Sequence, residues 1–271
     1  MLNNVTFGQF FPTNSFLHKM DPRFKLILTI AFIVFTFVAG NYLSLAVVGL
    51  FTILVMILSK IPVKMYLRSL KSIWFLVLFT AILNMFYVSG DAEPLISFWV
   101  ISIYLEGILR AVYVAIRIVM LIIISSALTY TTSPTALTDA IESLLKPLTK
   151  LHIDIHTFAM MMTIALRFIP TLIEETDKIM SAQKARGADI ESGGIVQKIK
   201  AIIPILIPLL VSSIRRATEL ADAMECRCYH GGDGRTRLKV LKSTWRDYVA
   251  LICGVALLAA IITLNFVYKL F

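Results

Sequence analysis

The sequence predicts an all-α protein that crosses a membrane several times and carries one polar insert. Of its 271 residues, 58% are hydrophobic and only 16% are charged, whereas a soluble domain is typically about 25% charged. Charge is concentrated in residues 131–247, which hold 29 of the 43 charged side chains. The predicted fold therefore has about five transmembrane helices and a cytoplasmic domain of three helices.

Long uncharged runs indicate where the transmembrane helices lie. No charged residue lies between Lys25 and Lys60, and a single helix of that length would measure about 50 Å, beyond the roughly 30 Å hydrocarbon core. Gly40 and Asn41 therefore divide the run. The predicted spans are 24–39, 42–58, 72–90, 107–130 and 248–268, and a shorter apolar run, 95–105, predicts an interfacial or re-entrant segment. The predicted domains are a membrane domain (1–130), the insert (131–246) and a C-terminal transmembrane helix (247–271).

Basic residues predict the orientation. Lys19, Arg23 and Lys25 precede the first span, and four more basic residues lie at 60–71, whereas the loop with Asp91 and Glu93 has none. Because cytoplasmic loops are enriched in Lys and Arg, the N-terminus and the insert are predicted inside and the C-terminus outside. The net charge of +9 is then a property of these loops and does not indicate nucleic-acid binding.

The insert is predicted to contain three helices. Ser133, Pro134 and Thr135 form a helix start that leads to about Lys150. A second helix is predicted from Asp154 to Arg186 with a kink at Pro170. After the break at 192–194, a third is predicted over 196–229, bent by Pro204 and Pro208 and ended by the glycines of 231–234.

The second and third helices end alike. One closes with Ala185, Arg186 and Gly187, and the other with Cys226, Arg227 and Cys228. An arginine between small residues can insert into a cleft, where its planar fork meets carboxylates or carbonyl oxygens. Alternatively, each arginine is a cation placed at the negative end of the helix dipole. The repetition on two long helices favours the first interpretation.

The first halves of the same helices are apolar. Residues at three- and four-residue spacing share a face on each. These residues are Phe158, Met161, Met162, Ala165 and Ile169 on the second helix, and Ile199, Ile202, Leu206, Leu209 and Leu210 on the third. The methionines Met160–Met162 suit either a surface that accepts several partners or a packed core.

Catalytic and metal-binding patterns are lacking. The sequence contains no Gly-x4-Gly-Lys-Ser/Thr phosphate loop, no His-Glu-x-x-His and no Gly-x-Ser-x-Gly. Cys226, Cys228 and His230 are fewer than the four ligands of an ordinary zinc site. The sequence therefore predicts no enzyme, no metal and no cofactor of its own.

The start of the chain carries a second motif. Leu17-His18-Lys19-Met20-Asp21-Pro22-Arg23-Phe24-Lys25 resembles the Leu-His-x-x-Asp-Pro-Arg-x-Lys sequence that opens the transmembrane coupling subunit, or T component, of energy-coupling factor (ECF) transporters. The paired arginine motifs resemble that family as well, although cysteines replace its usual Ala and Gly or Ser in the second motif. The resemblance covers essentially the whole chain.

This resemblance implies a role and partners. The chain would be a non-catalytic coupling subunit in a prokaryotic cell membrane. Two cytoplasmic ATP-binding-cassette (ABC) ATPases would bind the ATP, and Arg186 and Arg227 would each dock in one of them. The ten apolar residues above would form a platform for a small membrane-embedded subunit that captures a vitamin or another micronutrient.

One alternative remains open at the level of sequence. A conventional ABC importer permease would have its own substrate path through the spans. Few polar residues could line such a path, with Asn84 and Arg117 as the main candidates. Arg117 is a functional candidate because charge inside a membrane is costly, or else it pairs across the helix bundle.

Overall fold

The computed structural model describes residues 10–87, 96–98, 101–151, 154–188, 194–231 and 241–267. The α-helices are α1 (Pro22–Val38), α2 (Tyr42–Ser59), α3 (Val63–Tyr87), α4 (Leu105–Thr131), α5 (Pro134–Leu145), α6 (Ile155–Ala185), α7 (Ile195–Glu225) and α8 (Trp245–Val267). A 3-10 helix, Lys146–Leu151, follows α5. The predicted all-α class is confirmed.

Helices α1, α2, α4 and α8 begin and end within a few residues of the predicted spans. The exception is α3, which begins at Val63, nine residues before the predicted start at residue 72. Its first turns carry Lys64, Arg68 and Lys71, all of them exposed. Hydropathy marks the part of a helix that suits lipid, and it does not detect polar turns that continue the same helix beyond the bilayer.

Within the described residues, six helices are long and apolar enough to cross a membrane: α2, α3, α4, α6, α7 and α8. The chain is thus a multi-pass membrane protein in composition and helix length. Helix α1 has 17 residues, at the short end of the range for a span. Helices α6 and α7 are thus also long and apolar enough to cross a membrane, although they were predicted to lie in the cytoplasmic insert.

Part of the predicted interfacial segment forms a small hairpin. Strands β1 (Ile96–Phe98) and β2 (Ile101–Ile103) pair antiparallel. Ile96 lies opposite Ile103, Ser97 opposite Ser102 and Phe98 opposite Ile101. This hairpin is a local exception in a helical fold. Asp91 and Glu93, which were used to predict the orientation, lie outside the described residues.

The described residues fall into two compact units. The first, called the membrane unit here, comprises the described residues of 10–140 and 241–267, with α1–α4, α8, the hairpin and the first part of α5. The second, called the helix-pair unit, comprises the described residues of 141–231, with the end of α5 and all of α6 and α7.

The core of the membrane unit lies where α1, α2, α4 and α8 meet. Its buried residues include Phe32, Val48, Ile124 and Ile261. The outer surface is also apolar, and Phe75 of α3 is 80% exposed. Such a surface is unfavourable in water and suits a hydrocarbon solvent, in which apolar side chains need no burial.

The predicted starts of the insert helices are confirmed. The Ser133 hydroxyl accepts a hydrogen bond from the Ala136 N–H at 3.3 Å, and Asp154 Oδ1 accepts from the Thr157 N–H at 3.1 Å. The ends differ more. Helix α5 ends at Leu145 and not at Lys150, because Pro147 removes an N–H that an α-helix would need.

The α7 end also differs from its prediction. The α-helix finishes at Glu225, before the glycines at 231–234 that were predicted to end it. Residues 232–234 and the predicted break at Ser192 and Gly193 lie outside the described residues.

Candidate docking site at the ends of two long helices

Helix α6 ends in a Schellman motif with Arg186 at the C-cap. The Gly187 N–H donates to Lys184 O at 3.0 Å, and the Ala188 N–H donates to Gln183 O at 3.0 Å. Gly187 has a φ of 85°, a left-handed conformation that glycine adopts without steric cost. The backbone therefore turns sharply away just after the arginine.

Helix α7 ends with the same hydrogen bonds. The Cys228 N–H donates to Glu225 O at 2.9 Å, and the Tyr229 N–H donates to Met224 O at 3.0 Å. Cys228 has a φ of 56°, so it takes the left-handed position that Gly187 takes on α6. Relative to these hydrogen bonds, Arg227 occupies the position of Arg186, although the α-helix of α7 ends at Glu225 with Cys226 as its C-cap. The likeness seen in the sequence is also a likeness of backbone geometry.

Both arginines project into open space. Arg186 and Arg227 are exposed, as are their neighbours Ala185 and Cys226. Neither arginine forms an ion pair with another residue that the structure describes. The Schellman bonds satisfy orphan carbonyl groups at each helix end, so the guanidinium groups are not required for that purpose and remain available to a partner.

The predicted apolar faces are largely uncovered. Phe158 and Met161 on α6 are about half exposed, as are Ile199, Ile202, Leu206 and Leu210 on α7. Ala165 is exposed as well, and Met162, Ile169 and Leu209 are half-buried. Further apolar residues of α7 are exposed that were not predicted, although the sequence shows their three- and four-residue spacing. They are Val196, Ile203, Ile207, Val211 and Ile214.

The opening motif lies in the membrane unit, where its charged residues join three helices. Asp21 caps α1 by accepting from the Arg23 N–H at 2.9 Å, and it forms an ion pair with the Arg23 guanidinium at 2.8 Å. Arg23 also donates to Leu241 O at 3.0 Å, just before α8. Lys25, only 5% exposed, donates to Thr131 O at 3.0 Å. It therefore caps the carboxyl end of α4.

A buried carboxylate completes this group. Asp247 Oδ1 accepts from the Asp21 N–H at 2.9 Å, and Asp247 Oδ2 accepts from the N–H and the hydroxyl of Thr244 at 2.6 and 2.9 Å. We call Asp21, Arg23, Lys25 and Asp247, with their partners, the start cluster. The start cluster was not predicted. The sequence did contain a signal for it, because Thr244-x-x-Asp247 matches the capping box, in which the side chain at the third helical position accepts from the N–H of the N-cap residue.

Known proteins are similar in sequence to this chain over nearly its whole length. The family described as "Cobalt transport protein" matches residues 13–238. The chain is 50% identical to the energy-coupling factor transporter transmembrane protein EcfT of Clostridium kluyveri, over 95% of each chain. It is 48% identical to that of Ruminiclostridium cellulolyticum over 99% of this chain and 100% of the relative, and 42% identical to that of Bacillus subtilis over 97% and 98%.

The chain belongs to the EcfT family. It is the transmembrane component of an energy-coupling factor transporter, and the likeness proposed from its two motifs is confirmed.

The conventional-permease alternative is not favoured for this EcfT protein. Asn84 donates to Thr80 O of its own helix at 2.8 Å. Arg117 donates to Ala39 O and to the Tyr113 hydroxyl, each at 2.8 Å, and lies 4.7 Å from the Tyr113 ring centroid. The charge of Arg117 thus caps the carboxyl end of α1 and pairs across the bundle.

Further polar contacts surround Arg117 at this end of α1. Asn265 of α8 donates to Val38 O at 2.7 Å and accepts from the Gly40 N–H at 3.2 Å. We call Arg117, Tyr113, Asn265 and the carbonyls of Val38 and Ala39 the end cluster. Its members form hydrogen bonds with one another, although the buried Nε of Arg117 has no hydrogen-bond partner among the described residues.

The membrane unit of this EcfT chain also contains an apolar cavity of about 200 Å³ between α1, α2, α4 and α8. Phe32, Phe51 and Ile124 lie in its wall. Among the described residues of this wall, the only ones that are not apolar are Lys25, Thr29, Thr131 and Cys253. The ammonium group of Lys25 is already bound to Thr131. Such a wall does not suit passage of a polar micronutrient.

His18 of the opening motif is held at the surface of the membrane unit. Its Nε2 donates to Phe11 O at 2.9 Å, which leaves Nδ1 to accept from the Ser15 hydroxyl at 2.6 Å in the neutral ring. Partial burial lowers the pKa of His18, with a contribution from the charge of Lys25. The two ring nitrogens of His18 are thus held by Phe11 and Ser15, which fixes the turn before α1.

Proposed function

We propose that this transporter component couples two cytoplasmic ABC-type ATPases to a small membrane-embedded subunit that captures the substrate. Arg186 and Arg227 would each dock in one ATPase. The observation that carries this proposal is the pair of matching Schellman ends, each with an exposed arginine directly before the left-handed residue. The cargo would be a vitamin or another micronutrient, and its specificity would reside in the capturing subunit.

The geometry suits a cleft in a partner. At each tip the backbone turns away directly after the arginine, through Gly187 or Cys228, so the arginine is the last side chain along the helix direction. The preceding residue is small, Ala185 or Cys226. A guanidinium group so presented can enter a groove lined by carboxylates or helix-end carbonyls and form paired hydrogen bonds.

The apolar faces of α6 and α7 would bind the capturing subunit. Their exposed residues lie on stretches of three- and four-residue spacing, which is the usual surface for docking a helix against other helices. Methionines such as Met161 repack easily, so the surface could accept more than one capturing subunit.

The insert would lie at the cytoplasmic side, with the N-terminus inside and the C-terminus outside. This follows from the basic residues near the first two spans. Helices α6 and α7 are long enough to cross a bilayer, but their second halves carry charges such as Glu174, Asp177, Arg215 and Glu219. Burying these in hydrocarbon would be costly, so only the apolar halves would contact lipid or the capturing subunit.

The chain itself would have no catalytic role, because ATP would be bound by the partner ATPases. Among the described residues, no group of three or more His, Cys, Asp or Glu side chains is arranged to hold a metal ion. The described cysteines are free thiols.

The test is to purify the complex in mild detergent from cells that express tagged wild-type chain, Arg186→Ala, Arg227→Ala or the double variant. We expect each single variant to retain less ATPase and the double variant to lose roughly tenfold or more, because a desolvated Arg contact contributes about 2 kcal/mol or more. Arg215→Ala is the matched control, since Arg215 is also exposed on α7.

Two outcomes would contradict the proposal. One is normal recovery of both ATPases with the double variant. The other is the recovery of an ATPase pair with a lipoprotein or periplasmic receptor in place of a small hydrophobic membrane subunit, which would favour the permease alternative.

A further inference from the structure

Helices α6 and α7 are joined by polar side chains that the docking function does not use. The Glu175 carboxylate of α6 accepts a hydrogen bond from the Ser212 hydroxyl of α7, and its other oxygen lies 2.9 Å from Arg216 Nη2. Further along α6, Gln183 Nε2 donates to Pro204 O at 3.3 Å. These contacts connect the two helices that carry both docking arginines.

The positions of the contacts give the relative direction of the helices. As the position on α6 advances from Glu175 to Gln183, the partner on α7 moves back from Ser212 to Pro204. The helices therefore run antiparallel where they cross. Their carboxyl ends, with Arg186 and Arg227, extend from the crossing in opposite directions.

The Glu175–Arg216 ion pair lies at the same sequence distance from both tips. Arg186 follows Glu175 by 11 residues, and Arg227 follows Arg216 by 11 residues. At about 1.5 Å per residue, each tip is roughly 16 Å along its helix from the ion pair. The helix segments from the ion pair to Arg186 and to Arg227 are therefore of equal length.

Proline explains why the second contact is available. Pro208 has no N–H, so it cannot bond to the carbonyl of Pro204 four residues earlier, as an α-helix normally would. That freed carbonyl is the one that Gln183 binds. Gln183 is one turn before Arg186, so the proline-containing part of α7 is connected directly to the tip of α6.

We propose that Glu175 is a positioning residue that, through Ser212 and Arg216, fixes the crossing of α6 and α7 and thereby the relative placement of the two docking arginines. Movement of one tip would then reach the other through this contact. The inference rests on the proposed docking function of Arg186 and Arg227, but the crossing can be tested without any ATPase.

The neighbouring residues provide matched controls. Glu174, next to Glu175, and Arg215, next to Arg216, are both exposed and form no ion pair with other described residues. Ser213, next to Ser212, donates within its own helix to Leu209 O at 2.7 Å. Each substitution in the crossing can therefore be compared with the same substitution one residue away.

The experiment measures the distance between the tips in the full-length chain. Spin labels are attached at Ala182→Cys and Ala223→Cys, one turn before each arginine, after Cys226, Cys228 and Cys253 are replaced by Ser. The distribution of interspin distances is recorded in detergent and in lipid nanodiscs by pulsed electron paramagnetic resonance, at a temperature where all variants are folded. Glu175→Ala is compared with Glu174→Ala.

We expect Glu175→Ala to broaden the distance distribution or shift its maximum, because a change of about 20° in crossing angle displaces each tip, roughly 16 Å from the ion pair, by about 5 Å. Glu175→Gln should have a smaller effect because it can still accept from Ser212. Glu174→Ala should match the wild type. If Glu175→Ala leaves the distribution unchanged, or if Glu174→Ala changes it equally, the inference is wrong.

Further variants keep the test decisive if Glu175→Ala fails to accumulate. Ser212→Ala and Arg216→Gln should broaden the distribution, whereas Ser213→Ala and Arg215→Gln should not, and the opposite result overturns the inference. Failure of the docking proposal is recognised separately, since it would leave ATPase recovery unchanged in the arginine variants whatever the interspin distances are.

Discussion

The membrane unit and the helix-pair unit place their polar groups in opposite ways. In the membrane unit, charges such as Lys25 and Asp247 are buried at helix ends and bound by groups of the same unit. In the helix-pair unit, the helix ends carry exposed arginines, and the polar contacts between α6 and α7 involve residues that precede these arginines in each helix. The membrane unit thus binds its buried charges internally, whereas the helix-pair unit leaves an arginine exposed at the end of each long helix.

The same contrast applies to apolar surface. The exposed apolar residues of α3, among them Phe75, would be covered by lipid. Those of α7, such as Ile199 and Leu206, lie on a helix whose second half is charged. A surface of this kind is stable when a partner covers it. Substitutions should accordingly affect folding in the membrane unit and partner binding in the helix-pair unit.

The largest expected effect is on the start cluster. Asp247→Ala removes the acceptor for three donors, the Asp21 N–H and the N–H and hydroxyl of Thr244. We expect a loss of about 3 kcal/mol in unfolding free energy, since each unpaired buried donor costs about 1–3 kcal/mol. The measurement is thermal unfolding in detergent.

Glu106→Gln is the control for this loss, because Glu106 is exposed on α4 in the same unit. A thermal midpoint for Asp247→Ala equal to that of Glu106→Gln would show that the membrane unit does not depend on its buried charges, and the comparison between the units would break down.

Smaller effects, opposite in sign to each other, are expected at the carboxyl ends of α6 and α7. Gly187→Ala puts a side chain on a residue with a φ of 85°, whereas Cys228→Gly removes one from a residue with a φ of 56°. A non-glycine residue in this conformation costs about 1–2 kcal/mol. We expect faster hydrogen exchange at the end of α6 in the first variant and slower exchange at the end of α7 in the second.

Neither tip variant should change the thermal midpoint of the membrane unit. If Gly187→Ala instead unfolds the whole chain, the tips are part of the folding core, and the distinction drawn between the two units is wrong.

The smallest expected effect is a pH dependence at His18. Burial lowers the pKa of His18 below 6.5 in the folded chain, so the folded state favours the neutral ring. The stability that this ring contributes is present above about pH 6.5 and is lost as the pH falls through the lowered pKa. Proteolysis after the exposed Lys19 should therefore accelerate at acid pH.

His18→Gln should remove this pH dependence, because an amide does not titrate in this range. A variant that keeps the full acceleration would show that another group, and not His18, responds to acid at the start of the membrane unit.

Several features followed from local sequence alone. The uncharged runs gave the positions of α1, α2, α4 and α8, because a bilayer requires a minimum apolar length. Ser133 and Asp154 predicted helix starts because their side chains reach N–H groups two or three residues ahead. The paired arginine motifs were visible as well, because small residues flank both.

Other features depended on residues far apart in the chain. Asp21 and Asp247 are 226 positions apart, and nothing local indicates that they meet. Glu175 looked like one of many surface charges of the insert until Ser212 and Arg216 were found beside it. Pro204 and Pro208 were predicted only to bend α7. Because Pro208 has no N–H, Pro204 O lacks its usual helical donor, and it forms an interhelical hydrogen bond only because Gln183 lies near it.

The sequence by itself determined that this protein has apolar helices of membrane-spanning length and two long helices ending in an arginine between small residues, because these properties depend on side chains a few positions apart. Tertiary structure decided which charges are buried and which are presented. Whether Lys25 or Arg117 is compensated depends on the carbonyl oxygens that packing brings to it, and helix ends supply such oxygens only after the helices have assembled.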